Sequence, residues 1–218
     1  MRRSDLIKSI IPRTLKDRIL VGFHPLTSVA VEPTNRCNLD CPYCHRTMRT
    51  QGDMDLKLYR QIINQVPKTA TLALSYGGES IVCKDFPTML KYSQARGFKP
   101  IVFSNGLEPY PEGVKVITYP KPPPIIFTPD QRIEDRNIAK TLKPVNTFCR
   151  DLFRTLGILW NGDVVPCCYC VGGARVVGNV KDTPLMELWE SPRYKKLREA
   201  GHCEGCEVWQ YNLEVKKS

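Results

Sequence analysis

The sequence predicts an α/β protein: an abbreviated, open parallel β/α barrel followed by a small unit of one β-hairpin and short helices, stapled by a metal cluster. Three observations carry that expectation. Strand-like apolar runs alternate with helical periodicity from Ser28 onward, the pattern of a parallel sheet. The stretch from Ser28 to Pro129 has no room for the eight units of a closed barrel. Cysteines then crowd the last third of the chain, where a hairpin and short helices form a poor core unless a metal ties them together.

Residues 1–27 read as a lead-in helix, with Leu6, Ile7, Ile10 and Ile11 at helical spacing until Pro12 interrupts. Docking onto the body of the protein is preferred to membrane binding. The barrel is expected over residues 28–129. "SVAVE" is its first strand and runs straight into a cysteine loop. Asp55 can cap a helix whose Tyr59, Ile62, Ile63 and Val66 share a face and which ends at Pro67. "TLALSYGGE" is a second strand entering a glycine turn, and Asp85 caps a helix with Phe86, Met89 and Leu90 inward, stopped by Gly97. "PIVFSNG" and "VKVITYP" are the third and fourth strands, with no helix between them, and "PIIFTP" is a fifth. "YPKPPP" is a stiff polyproline connector.

Residues 130–148 read as a linker or helix, and residues 149–218 as the second unit. Its hairpin turns at Asn161-Gly162. Thr183 then caps a helix with Pro184 at its first position and Leu185, Leu188 and Trp189 on one face. A further helix starts at Ser191-Pro192 and ends at Gly201.

Of 218 residues, 42% are apolar and 25% charged, which excludes wholesale disorder. No apolar run approaches the length of a membrane span. "MRRSDLIK" is followed by a stretch broken by Pro12, Arg13, Lys16, Asp17 and Arg18, so the expectation is a cytoplasmic protein, not an exported one. Ten cysteines in that reducing compartment argue for metal or catalysis over a disulfide framework. The net charge of +10 invites a nucleic-acid partner. Its cations are scattered, with small concentrations at Arg2–Lys16 and Arg193–Arg198. Solvated helix faces explain them at least as well, leaving RNA modification as a minor reading.

"CNLDCPYC" sets Cys37, Cys41 and Cys44 at C-x3-C-x2-C spacing and offers no fourth ligand. Cys41 to His45 matches a haem-attachment motif, but such attachment belongs to exported proteins. A redox dithiol would leave Cys37 unexplained. Zinc with His45 as fourth ligand strains the tetrahedron, because Cys44 and His45 are adjacent. The remaining option is a 4Fe–4S cluster on three thiolates, whose fourth iron stays open to a small chelating molecule.

This loop, with Tyr43 before its last cysteine, resembles the radical S-adenosylmethionine superfamily. The resemblance implies that Cys37, Cys41 and Cys44 hold the catalytic cluster and that its open iron chelates S-adenosylmethionine. It also implies a glycine-rich turn after the second strand for the methionine end, present as Gly77-Gly78-Glu79; the family's usual proline after it is Ser80 here. Glycines permit backbone approach to a ligand, and Glu79 offers a carboxylate for an ammonium. "FSNG" resembles another family element, placing Ser104 and Asn105 near the cofactor. Met54, in a stretch that also looks family-like, reads as packing. An external reductant such as flavodoxin or ferredoxin is implied, with a peptide, protein or small-molecule substrate.

Cys149, Gly162 after twelve intervening residues, Cys167 after four more, then Cys203 and Cys206, resemble the SPASM and twitch extensions of that superfamily. The resemblance implies a second 4Fe–4S cluster on those four thiolates in the shorter, one-cluster arrangement. The residues by themselves leave zinc open. Cys83 reads as structural, and Cys168 and Cys170 remain unassigned. A non-catalytic metal-binding descendant of such enzymes is the rival reading.

Overall fold

The computed structural model describes residues 25–41, 44–118, 149–167, 170, 172–173, 175–201 and 203. The lead-in segment, Tyr43, the fifth strand at "PIIFTP", the linker at 130–148, Cys168 and Cys206 lie outside the described residues.

Among the described residues, seven strands form one open sheet in the order β4-β3-β2-β1-β5-β6-β7. β1 (Ser28–Val31) is followed by helix α1 (Leu56–Gln65), β2 (Thr71–Ala73), helix α2 (Phe86–Ala95), β3 (Ile101–Ser104) and β4 (Lys115–Thr118). These four strands pair in parallel, with Ser28 opposite Thr71, Ala73 opposite Ile101, and Ile101 opposite Lys115. α1 and α2 are the crossovers such pairing requires. The Asp55 side chain accepts from the N–H groups of Lys57 (2.8 Å) and Leu58 (3.3 Å), the cap the sequence predicts. Asp85 takes the corresponding place before α2 but makes no side-chain bond, and Pro87 sits in the first turn. From α1, Leu58, Tyr59, Ile62 and Ile63 are buried, and from α2, Phe86, Met89 and Leu90, so the predicted inward faces form the core.

The second half departs from the expected layout in one decisive way. β5 (Thr155–Ile158) pairs in parallel with β1, Ser28 opposite Thr155 and Val31 opposite Ile158, so the hairpin continues the barrel sheet. β1 is thereby flanked on both sides, and its Val29 and Val31 are fully buried. β6 (Asp163–Val165) and β7 (Gly178–Asn179) extend the sheet antiparallel. The hairpin loop is three residues, not two: Leu159 N–H donates to Asp163 O (2.8 Å) and Gly162 N–H to Leu159 O (2.8 Å). Gly162 takes φ +93°, the left-handed position closing a type I turn with a bulge.

Helix α3 (Leu185–Trp189) starts one residue later than the sequence suggests. Pro184 is the cap and Thr183 N–H is already turned onto Asn179 O (3.1 Å). Helix α4 (Pro192–Ala200) is capped by Ser191, whose hydroxyl accepts from Tyr194 N–H (3.2 Å), and is closed by Gly201 at φ +73°. Among the described residues no helix is long and apolar enough to cross a membrane.

Because β1, β2, β3 and β5 run parallel, the loops leaving their C-terminal ends share one edge of the sheet. These are the cysteine loop, the glycine turn, "SNG" and the hairpin tip. Parallel α/β sheets place ligands at that edge.

Candidate active site

The cysteine loop is closed at its neck by side chains of two polar residues. Thr34 Oγ1 lies 2.6 Å from Asp53 Oδ1 and 3.0 Å from Gly52 O. Asn35 accepts from Gly52 N–H (2.8 Å) and donates from Nδ2 to Thr50 O (2.9 Å). Both residues are buried, so these bonds are made away from competing water. Beyond the neck, Arg46 donates from Nη2 to Leu39 O (2.7 Å), and Cys44 N–H donates to Cys41 O (3.0 Å).

Cys37, Cys41 and Cys44 are half-buried. Burial, reinforced by the neighbouring Cys44 and Cys37 thiols, raises the Cys41 thiol above its ordinary value. A thiol held up in this way needs a cationic partner to become a thiolate. Among the described residues no three His, Cys, Asp or Glu side chains converge on one metal ion. A cuboidal cluster asks for something else, one thiolate on each of three irons, and the loop fits that demand. Cys37 Sγ also receives Leu39 N–H (3.4 Å) and Asn105 Nδ2 (3.8 Å), the kind of sulfur hydrogen bonding that tunes such clusters.

The glycine turn lies directly on the backbone that precedes Cys37. Glu79 N–H donates to Arg36 O (2.9 Å), and a Cβ on Gly78 would stand 2.5 Å from both Arg36 O and Thr34 O. The third strand's loop closes the arrangement: Asn105 N–H donates to Glu79 Oε2 (2.9 Å) and Asn105 Nδ2 to Asn38 Oδ1 (2.8 Å). Five of the expected residues, Cys37, Gly78, Glu79, Ser104 and Asn105, therefore meet around one loop. Ser104 is buried and accepts from Gly106 N–H (3.0 Å). Glu79 is also buried. Its second oxygen receives the Tyr110 hydroxyl, so the carboxylate that the resemblance offers to an ammonium also holds Asn105 and Tyr110. Burial and the bond to Glu79 push the Tyr110 phenol well above its usual range.

Of the second cysteine set, Cys149, Cys167 and Cys203 lie near Tyr194 of α4. Cys149 N–H donates to Gly201 O (2.7 Å), and Cys203 packs with Leu152, Phe153 and Cys149. The Tyr194 hydroxyl donates toward Pro166 O (2.9 Å) and Thr155 O (3.0 Å). Burial raises this phenol far above its normal range, and the nearby Cys167, Cys203 and Cys149 thiols push the same way against Arg198. The Arg198 guanidinium stacks 3.9 Å from the Trp189 ring and 4.4 Å from the Tyr194 ring. Its Nε donates to Leu152 O (3.1 Å), while its buried Nη2 has no hydrogen-bond partner among the described residues. The unpartnered Nη2 belongs to a buried cation that stacks on Tyr194, itself close to Cys149, Cys167 and Cys203, a setting compatible with an anionic thiolate-ligated group.

Sequence reasoning missed the residues that join the two cysteine sets. Tyr76 donates its hydroxyl to Cys167 O (2.6 Å), and Gly157 makes room for its ring, since a Cβ there would lie 2.6 Å from Cε2. Glu32 and Arg49 form a buried bidentate ion pair (2.6 and 2.9 Å). An acid ending the apolar run "SVAVE" was the one available signal. A cavity of about 250 Å³ lies beside this pair, with Arg49, Trp160, Asn161 and Gly173 in its walls.

Comparison with known proteins agrees with this geometry. The SPASM family, an iron–sulfur cluster-binding domain, matches residues 149–207. A PqqA peptide cyclase of Xanthomonas campestris pv. campestris is 30% identical over 87 residues, 38% of this chain and 23% of the relative. An S-adenosylmethionine-dependent nucleotide dehydratase of Selenomonas ruminantium is 33% identical over 76 residues, 34% of this chain and 27% of the relative. The chain thus spans about a quarter of the length of these curated relatives. Among solved structures, BtrN in complex with AdoMet and 2-DOIA superimposes with TM-score 0.64 at 17% identity, over 86% of this chain and 93% of BtrN. Streptococcus suis SuiB bound to the precursor peptide SuiA superimposes with TM-score 0.58 at 13% identity, over 80% and 67%. At these identities the structural likeness is one of fold. Residues 149–207 of the chain thus match the SPASM iron–sulfur cluster-binding domain, and its open sheet shares the fold of BtrN and SuiB.

Proposed function

We propose that the protein is a radical S-adenosylmethionine enzyme that oxidatively modifies a peptide or protein substrate. The observation that carries this reading is the seating of the Gly77-Gly78-Glu79 turn on the backbone just before Cys37, through Glu79 N–H to Arg36 O at 2.9 Å. That contact supports a reading in which the loop of Cys37, Cys41 and Cys44 holds a cluster next to the cofactor turn. A 4Fe–4S cluster there, when bound and reduced by a flavodoxin or ferredoxin, would supply one electron to split the sulfonium C–S bond of S-adenosylmethionine, yielding methionine and a 5′-deoxyadenosyl radical that takes hydrogen from substrate.

The chain's own residues then have distinct tasks. Arg46, Thr34 and Asn35 hold the cysteine loop in shape. Asn105 donates to Cys37 Sγ and pins Asn38. Glu79 orients the turn through Asn105 and Tyr110, leaving the turn's carbonyl oxygens as acceptors for an ammonium. Tyr43 completes the proposed cofactor contacts. Cys149, Cys167, Cys203 and Cys206 would hold a second 4Fe–4S cluster, with zinc as the competing occupant, in a unit spanning 149–218 that follows the barrel at 28–129 and the linker at 130–148. Peptide substrates are favoured by the likeness to a PqqA peptide cyclase and to SuiB bound to its precursor peptide, and by the open sheet. BtrN, whose structure holds 2-DOIA, keeps a small molecule as the second reading. Cytoplasmic location remains part of this proposal.

The test is anaerobic. Reconstituted protein is reduced with dithionite, given S-adenosylmethionine, and assayed for 5′-deoxyadenosine, iron and sulfide, with candidate peptides present. About eight irons per chain and deoxyadenosine formation are expected. Bound iron with no cofactor cleavage under any substrate would favour the non-catalytic reading. Cys41→Ala is expected to abolish cleavage while retaining about four irons at the second site. Loss of all iron in that variant would overturn the two-site arrangement.

A further inference from the structure

We propose that Glu32 is a positioning residue of the cofactor site, through which the C-terminal hairpin sets the orientation of the Gly77 turn; the inference rests on the function proposed above. Glu32 is fully buried at the end of β1. Its Oε1 accepts from Arg49 Nη2 (2.6 Å) and from Gly77 N–H (3.0 Å). Its Oε2 accepts from Arg49 Nη1 (2.9 Å) and from Trp160 N–H (3.1 Å). Four donors saturate the lone pairs of one carboxylate, so the group is already fully committed to the protein.

The identity of those donors gives the role. Gly77 opens the cofactor turn, Trp160 sits at the hairpin tip, and Arg49 follows the cysteine loop. A planar carboxylate held bidentate by a guanidinium cannot tilt toward one donor without straining the others. Displacing the hairpin tip therefore displaces the Gly77 N–H acceptor. Burial acts against the Arg49 charge, yet its hydrogen bond to Glu32 and the attraction of the carboxylate outweigh that, holding the guanidinium more firmly protonated than usual. Apolar residues could fill this volume at comparable stability. They could not fix the directions of two backbone N–H groups belonging to two different loops. Tyr76, beside Gly77, adds a parallel tie by donating to Cys167 O (2.6 Å), so the same turn is moored at two points to the unit that carries the second cysteine set.

The hairpin geometry supplies a discriminating pair of variants. Trp160 is the first central residue of the turn that Gly162 N–H closes onto Leu159 O, a position where proline is favoured. Trp160→Pro removes the N–H that reaches Glu32, whereas Trp160→Ala keeps that N–H and removes the indole. Glu32→Gln completes the set. Two readouts are taken. One is the shift of the reduced cluster's electron paramagnetic resonance signal as S-adenosylmethionine is titrated in. The other, in protein without cluster, is hydrogen–deuterium exchange across residues 76–80.

Glu32→Gln and Trp160→Pro are expected to weaken cofactor binding about tenfold or more, with iron content unchanged, and to speed exchange in the turn by a similar factor. Trp160→Ala, which keeps the N–H that reaches Glu32 but gives up the indole bond to Thr50 O (3.2 Å), is expected to lose less than Trp160→Pro in both. If Glu32→Gln fails to fold, the Pro and Ala variants decide alone. A wild-type signal that never responds to S-adenosylmethionine overturns the proposed function and this inference with it. A responsive wild type with Glu32→Gln or Trp160→Pro indistinguishable from it, or with Ala as damaging as Pro, overturns this inference only.

Discussion

Gly78→Ala is expected to reduce cofactor cleavage about a hundredfold while leaving both metal sites filled. A Cβ at this position would lie 2.5 Å from Arg36 O, 2.5 Å from Thr34 O and 2.8 Å from the Asn35 carbonyl carbon. All three are backbone atoms held by the neck of the cysteine loop, so no flexible side chain can swing aside. Relief requires the turn to lift, which lengthens or breaks the Glu79 N–H bond to Arg36 O, now 2.9 Å. Overpacking of this kind typically costs ~1–3 kcal/mol, well short of unfolding a domain. Misplacing a positioned reactant by about 1 Å, in contrast, costs on the order of a hundredfold in rate. The comparison to make is 5′-deoxyadenosine formation against iron content in the two proteins. A variant with wild-type cleavage would remove the glycine turn from the cofactor site.

Trp189→Ala is expected to destabilise the protein by ~3–5 kcal/mol, the usual cost of emptying a large buried aromatic site. Trp189 is fully buried, stacks on Tyr194 with ring centroids 4.9 Å apart, and carries the Arg198 guanidinium 3.9 Å from its ring. Its removal leaves a cavity and takes away one of the two aromatic faces that make the buried cation tolerable. Arg198 would then reorganise along with its bond to Leu152 O, and Leu152 packs against Cys203. For a chain of this size the loss corresponds to a melting-temperature drop of roughly 6–20 °C. The damage is expected to include metal loss from the Cys149, Cys167 and Cys203 region with the first cluster retained. Thermal unfolding followed by circular dichroism, with iron measured before heating, checks both. An unchanged melting temperature would contradict the role assigned to this stack.

The parts of the site legible in the sequence were those written in short spacings. C-x3-C-x2-C, the Gly-Gly-Glu turn and the Ser104-Asn105 loop each lie within a few residues, and resemblance to a known family supplied the reading of them as cluster and cofactor contacts. Asp55 and Ser191 as caps and Gly201 as terminator were legible without it, since their bonds reach at most one helical turn. Glu79 shows where this stops. Its place beside the cysteine loop follows from its motif, but its carboxylate was taken by Asn105, 26 residues on, and Tyr110, 31 residues on.

What the sequence by itself determined is therefore the inventory: an α/β sheet with alternating crossovers, two cysteine sets, a glycine turn, and the chemistry these residue types can support. Only the tertiary structure decided how the two halves meet. β5 lies against β1 although Thr155 and Ser28 are far apart in the chain, and Glu32 finds its partners 17, 45 and 128 residues away. The physical reason is that side-chain periodicity encodes which face of an element seeks burial, while the identity of its neighbour is settled by sheet closure and by the need of every buried donor and acceptor for a partner.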